Sequence, residues 1–125
     1  MQKTLRMALS VALLAALSPH ALAHGEARPL HGGTVQVVAD IHYELVPQAR
    51  GATLHVLDHG QPVDVRRMRG KLTVLNGTQK TEAPLTPAGA HQLEAVGVRL
   101  AAGAKAVASL QGAGGQTVTV RFSIP

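Results

Sequence analysis

Residues 41–57 read IHYELVPQARGATLHVL, and the alternation of apolar and polar side chains along this stretch decides the fold. An alternation with a period of two is typical of a β-strand that buries one face. The middle of the stretch carries Pro, Arg and Gly and predicts a turn at residues 48–51. We therefore predict a β-hairpin whose inward-facing side chains are Ile41, Tyr43, Leu45, Leu54 and Val56.

The polar side chains of this hairpin gather on its outer face. With the turn placed as above, Glu44 lies directly opposite His55, at a Cβ separation of about 4.5–5.5 Å. A shift of two residues instead places His42 opposite His55. Both registers bring the three side chains together, and Asp40 joins them if the first strand of this hairpin begins before Ile41.

Such a patch has two interpretations. Imidazole and carboxylate groups are ligands that divalent copper, zinc, nickel and cobalt accept. Alternatively, the patch is the solvated polar face that any amphipathic hairpin needs. The sequence leaves both interpretations open.

The rest of the chain after Gly33 predicts further short strands, and no segment has a helical period with caps. Asn76-Gly77 is a strong signal for a tight turn between two paired strands. We predict an all-β domain, a single antiparallel β-sandwich of the immunoglobulin-like type with about seven or eight strands. The expected strands are 34–38, 41–46, 53–57, 71–75, 79–83, 91–98, 105–110 and 116–124.

The N-terminus has the three parts of a secretory signal peptide. Lys3 and Arg6 precede an apolar run at 7–17, and Ala21-Leu22-Ala23 offers a cleavage site. As a helix the apolar run reaches only about 17 Å, against a hydrocarbon core of about 30 Å. We predict a cleaved signal peptide at 1–23 and a periplasmic product without a stable membrane anchor.

Two further histidines lie in the segment that follows, residues 24–33, which we predict to be a flexible His/Gly arm ahead of a β-sandwich domain at 34–125. Cleavage would leave His24 as the first residue, where the α-amine and the ring Nδ1 can chelate one ion once the amine loses its proton. His31 precedes Gly32-Gly33, where the arm can bend. The alternative for both residues is a disordered, weakly binding terminus.

Composition narrows the function. Loss of Lys3 and Arg6 leaves 10 basic against 7 acidic residues, a mild net charge of +3. The one basic cluster consists of Arg66, Arg67, Arg69 and Lys71. No aromatic residues interleave with it, so we do not expect nucleic-acid binding. Met68 is the only methionine after the signal peptide, and there is no cysteine, so a soft Cu(I) site is not expected. No arrangement of nucleophile, base and acid is recognisable, and we predict that the protein is not an enzyme.

Five short motifs stand in order along the chain: His31-Gly32-Gly33, Tyr43-Glu44-Leu45-Val46, Asp58-His59-Gly60-Gln61-Pro62-Val63, Leu85-Thr86-Pro87-Ala88-Gly89 and Val120-Arg121-Phe122. Their order and spacing resemble those of small exported proteins encoded beside heavy-metal efflux systems. They are also similar to a module attached to periplasmic adaptor subunits of cation-exporting tripartite pumps. The resemblance implies a periplasmic β-sandwich that handles copper, zinc, cobalt or nickel, and it carries a ligand role over to His31 and Glu44.

Two functions follow as hypotheses. The first is an accessory protein that binds a divalent transition-metal ion, Cu(II) or Zn(II) foremost, and buffers it or delivers it to an efflux system through a pump adaptor subunit. Its expected metal ligands are His24, His31, His42, Glu44 and His55. The second is a metal-independent interaction module that binds a pump adaptor or another envelope protein through exposed edge strands.

Overall fold

The computed structural model describes residues 27–125. The expected signal peptide and His24 lie outside these residues. The described part contains no helix, and so none that is long and apolar enough to cross a bilayer. Its strands are β1 Thr34–Val38, β2 Ile41–Gln48, β3 Gly51–Asp58, β4 Gln61–Pro62, β5 Arg69–Asn76, β6 Gln79–Pro87, β7 Gln92–Val96, β8 Lys105–Gln111 and β9 Thr117–Ser123.

All pairings between these strands are antiparallel, and they join into one sheet with the order β1-β2-β3-β7-β6-β5-β8-β9. The short β4 pairs only with β3. Strand β6 pairs along most of its length with β5, while its last residues, Thr86 and Pro87, pair with β7. The sheet therefore turns a corner within β6, and β1 and β9 come into contact at its two ends. The result is a curled, nearly barrel-shaped sheet.

The all-β class is confirmed. Each of the eight predicted strands has a counterpart, and β4 is a two-residue strand that the pattern did not indicate. The tight turn at Asn76-Gly77 joins β5 to β6, with Asn76 paired to Gln79. Because β6 belongs to both halves of the sheet, the strands form one continuous surface rather than two separate sheets.

The core fills the interior of the curled sheet. The predicted inward face of the first hairpin is confirmed, because Tyr43, Leu45, Leu54 and Val56 are buried and Ile41 packs against them. Small residues supply much of the remaining filling, since the described chain has only two aromatic residues of the Phe, Tyr or Trp type. The buried alanines are Ala52, Ala83, Ala95, Ala104, Ala106 and Ala108.

The pairing of β2 with β3 places Glu44 opposite His55, which is the first of the two predicted registers. The shifted register, with His42 opposite His55, was wrong. His42 instead lies between Val37 on one side and Leu57 on the other. Asp40 does not extend β2, because it lies in the turn that joins β1 to β2.

This β1–β2 turn holds a strained residue. Its two central residues, Ala39 and Asp40, have φ angles of 49° and 65°, which suits the twist of a two-residue hairpin. A left-handed conformation costs a residue with a Cβ about 1–2 kcal/mol. We expect Ala39→Gly to raise the free energy of unfolding by about 0.5–1 kcal/mol, measured by urea denaturation.

Ala49 provides the matched control, because it lies in the equivalent two-residue turn between β2 and β3 and has no positive φ. We expect Ala49→Gly to be neutral or destabilising, since glycine there only adds freedom to the unfolded chain. If both variants raised the free energy of unfolding by the same amount, relief of backbone strain at Ala39 would not be the cause of the increase.

Candidate functional site

The central feature of the outer face is a buried carboxylate. Glu44 points away from the core, yet its side chain is only 3% exposed. The last residues of the predicted arm, 30–33, lie across it and cover it. Its Oε1 accepts the backbone N–H of Leu30 at 2.9 Å, and its Oε2 accepts those of His31 at 2.9 Å and Gly33 at 2.8 Å. The solvated-face interpretation therefore does not describe this position.

The ring of His31 contacts the same carboxylate, with 3.0 Å between Nδ1 and Oε1 of Glu44. An ionised carboxylate can only accept hydrogen bonds, so the shared proton belongs to Nδ1 of the imidazole. In the neutral ring this leaves the lone pair on Nε2. His31 is 44% exposed, so its ring reaches the solvent while one edge stays fixed.

The carboxylate is held in its ionised form. Burial by itself raises the pKa of Glu44, but the hydrogen bonds from the His31 ring and from the amides of Gly33, His31 and Leu30 outweigh it. The pKa of Glu44 therefore lies below the ordinary value of a glutamate. Converging backbone N–H groups of this kind form an anion-binding concavity.

The two glycines after His31 explain how the backbone reaches the carboxylate. Gly32 has a φ of 75°, a conformation that side chains with a Cβ rarely adopt. A Cβ on Gly33 would lie 2.9 Å from the carbonyl carbon of Leu45 and 2.9 Å from Cγ2 of Val46. The first glycine thus permits the bend, and the second permits the close approach to β2.

His55 completes the cluster from the neighbouring strand. Its ring stacks on that of His31, with 3.7 Å between the ring centroids and 2° between the planes. Burial and the nearby His31 lower the pKa of His55, and the charge of Glu44 only partly opposes them. The neutral imidazole is thus favoured, which is the form that binds metal ions.

The stacked rings do not form a metal site as they stand. An imidazole nitrogen binds a metal along its lone pair, in the plane of the ring. Two parallel planes share no point, so His31 and His55 cannot both bind one ion while they stay stacked. Accordingly, no group of three or more His, Asp or Glu side chains within residues 27–125 is arranged to hold an ion.

The structure thus brings together His31, Glu44 and His55 from the predicted ligand set. His42 shares their face of the sheet but makes no hydrogen bond to them among the described residues. The sequence reasoning missed the role of the backbone amides and the ring stacking. The sequence did carry a signal for this contact. His31-Gly32-Gly33 stands directly before β1, and Val35 of β1 is paired with Glu44, so the arm has to pass close to that side chain.

Two other histidines lie outside this cluster. His59 contacts the neighbouring Asp58 in the exposed turn before β4. His91 is exposed, and its Nδ1 lies 3.3 Å from the carbonyl oxygen of Val63. Both therefore serve as controls for the cluster rather than as parts of it.

Comparison of the chain with family models, with curated proteins and with solved structures found no match.

Proposed function

We propose that this is a periplasmic accessory protein that binds a divalent transition-metal ion, Cu(II) or Zn(II) foremost, and buffers it or delivers it to an efflux pump. The observation that carries the proposal is the convergence of His31, Glu44 and His55 from the arm and two strands. Imidazoles beside a fixed carboxylate are a donor set that these ions accept. The proposal includes no catalytic step.

In this proposal Glu44 positions a ligand rather than binding the ion. Metal-binding histidines commonly donate the second ring N–H to a carboxylate, which fixes the ring and raises its basicity. Glu44 accepts from Nδ1 of His31 in this way, and Nε2 remains as the donor atom toward an ion.

His55 is the second proposed ligand, and its use requires the two rings to leave their parallel arrangement. His55 makes no side-chain hydrogen bond within residues 27–125, so its ring can turn while Nδ1 of His31 stays on Glu44. Two imidazoles are fewer than the four ligands of a closed zinc site. We propose that His42 and His24 complete the coordination in part and that the ion remains exchangeable, as buffering or delivery requires.

Titration of the purified protein with Zn(II) and Cu(II), followed by calorimetry and by the ring signals in NMR, tests this proposal. We expect the double variant His31→Ala/His55→Ala to bind at least about tenfold more weakly than the wild type, a loss of about 1.4 kcal/mol. The matched control is His59→Ala/His91→Ala, which removes two exposed histidines from outside the cluster. Equal affinities for the two double variants would remove the cluster from the site.

A second candidate is an interaction module that needs no ion. The end strands β1 and β9 touch but have no ladder of hydrogen bonds between them within residues 27–125, and Val37 on β1 is 47% exposed. Such an edge can accept a strand from a partner. Capture of a pump adaptor in the presence of a chelator would favour this function, whereas capture only with added metal would favour the first.

We also propose that the fold belongs with two-layer sandwiches of the immunoglobulin-like type, with β6 shared between the layers. The pairing of β1 with β9 decides this point. Protection of their amides from hydrogen exchange along a continuous ladder would make the domain a closed barrel instead.

Intact-mass measurement of the exported protein tests the cleavage after Ala23 and the periplasmic location.

A further inference from the structure

One end of the curled sheet contains a cavity of about 650 Å³. It lies where the β1–β2 turn faces the β8–β9 turn, and the segment 63–68 forms another side. Its wall is mainly apolar. The interior-facing side chains that line it include Val38, Ile41, Val56, Met68 and Val118.

The cavity follows from the sheet order and from the choice of core residues. β1 and β9 are the two ends of the sheet, so no shared ladder draws them together at this point. Phe122 is fully buried deeper in the core, and alanine and valine supply much of the interior filling. The residues at this end, such as Val38 and Val118, are only partly buried and leave the interior open.

Tyr43 supplies a polar group inside this apolar wall. Burial raises the pKa of its phenol, which therefore stays neutral and can donate a hydrogen bond. The acidic groups at the rim already have partners, because Asp58 contacts His59 and Asp64 contacts Arg66. The wall thus offers apolar contact, the Tyr43 hydroxyl and the uncharged side chains of Gln116 and Thr117, and within residues 27–125 it has no unpaired charge that would select an ion.

We propose that this cavity binds a small, neutral, largely apolar molecule that carries a hydrogen-bonding oxygen, with Tyr43 as its polar contact. The volume lies within the range of about 300–1,000 Å³ that is usual for small-molecule sites, and mostly apolar walls with few polar groups are typical of them. Met68 gives the wall a flexible side chain that adapts to different shapes.

This site is separate from the histidine cluster. Tyr43 and Glu44 are neighbours on β2, and successive residues of a strand point to opposite faces. Tyr43 therefore faces the cavity while Glu44 faces the arm. Neither the ligand nor its binding depends on the proposed metal function.

Calorimetric titration of the purified protein with 1-naphthol and with naphthalene tests the proposal. We expect saturable binding of both, with a preference for 1-naphthol. Ala113→Trp adds a large side chain at an exposed loop position on the cavity wall, so it should weaken binding of both probes at least about tenfold. The matched control is Val96→Trp, at a site that is 63% exposed and lies at the opposite end of β7 and β3, where binding should be unchanged.

Tyr43→Phe keeps the ring and removes the hydroxyl. We expect it to abolish the preference for 1-naphthol over naphthalene while naphthalene still binds. An absence of saturable binding to the wild type, equal weakening by Ala113→Trp and Val96→Trp, or an unchanged preference in Tyr43→Phe would overturn the proposal.

Discussion

Glu44→Gln is expected to lower the free energy of unfolding by about 2–3 kcal/mol. The carboxylate accepts hydrogen bonds from three backbone amides and from the His31 ring, and it is almost fully covered. Glutamine keeps one oxygen but turns an NH2 group toward donors, so some of these buried N–H groups lose their partner. Urea denaturation at pH 7 measures the loss.

The pH dependence of stability gives an independent readout. In the folded protein the pKa of Glu44 lies below its ordinary value, so the carboxylate stabilises the fold fully above about pH 4.3, the value expected in the unfolded chain. This contribution disappears as the pH falls further, through the folded pKa. The difference in stability between the wild type and Glu44→Gln should therefore shrink below about pH 4.

Glu94 is the matched control, because it is an exposed glutamate on a nearby strand of the same sheet. Glu94→Gln should change the free energy of unfolding by no more than about 0.5 kcal/mol. A comparably small change in Glu44→Gln, with no difference in pH dependence, would contradict the anchoring role of the carboxylate.

Gly33→Ala is expected to have the next largest effect, a loss of about 1–3 kcal/mol in the free energy of unfolding. The added methyl group would meet the backbone of Leu45 and the side chain of Val46, and the backbone of a central strand cannot move aside cheaply. The arm must shift, and its amides then leave Glu44. Urea denaturation measures the loss, and the NMR signals of the His55 ring report the loss of stacking.

Gly114→Ala provides the control for adding a methyl group. A Cβ at Gly114 meets only the flexible side chain of Gln116, which can rotate away. We expect a change within about 0.5 kcal/mol and an unchanged His55 ring signal. If Gly33→Ala leaves both stability and the His55 signal intact, the close approach at Gly33 is not required.

The sequence predicted much of the scaffold, because period-two alternation and turn chemistry are local properties. The turn at 48–51 and the inward parity of Tyr43 and Leu54 left two possible registers, and the one with Glu44 opposite His55 was confirmed. The corner within β6 was not predictable in the same way. It depends on which strands meet after the chain has folded, and alternation along one strand does not encode its neighbours.

The candidate site was predicted only in part, for a different physical reason. Side-chain types indicated which residues could bind a metal, but three of the groups that hold Glu44 are backbone amides, which every residue except proline carries. Their direction depends on the bend at Gly32 and the close contact at Gly33. The parallel orientation of the His31 and His55 rings likewise follows from that docking and not from residue type.

The shared use of Glu44 constrains how the protein can change by mutation. A single carboxylate holds residues 30–33 and sets the tautomer of His31, so a substitution of Glu44 alters the stability of the fold and the orientation of the His31 ring at the same time. Position 55 contributes an imidazole, and in the described part of the chain its side chain makes no hydrogen bond that holds residues 30–33. Under the proposed metal function, laboratory evolution toward a different ion should therefore accumulate changes at position 55 and its surroundings while position 44 stays fixed.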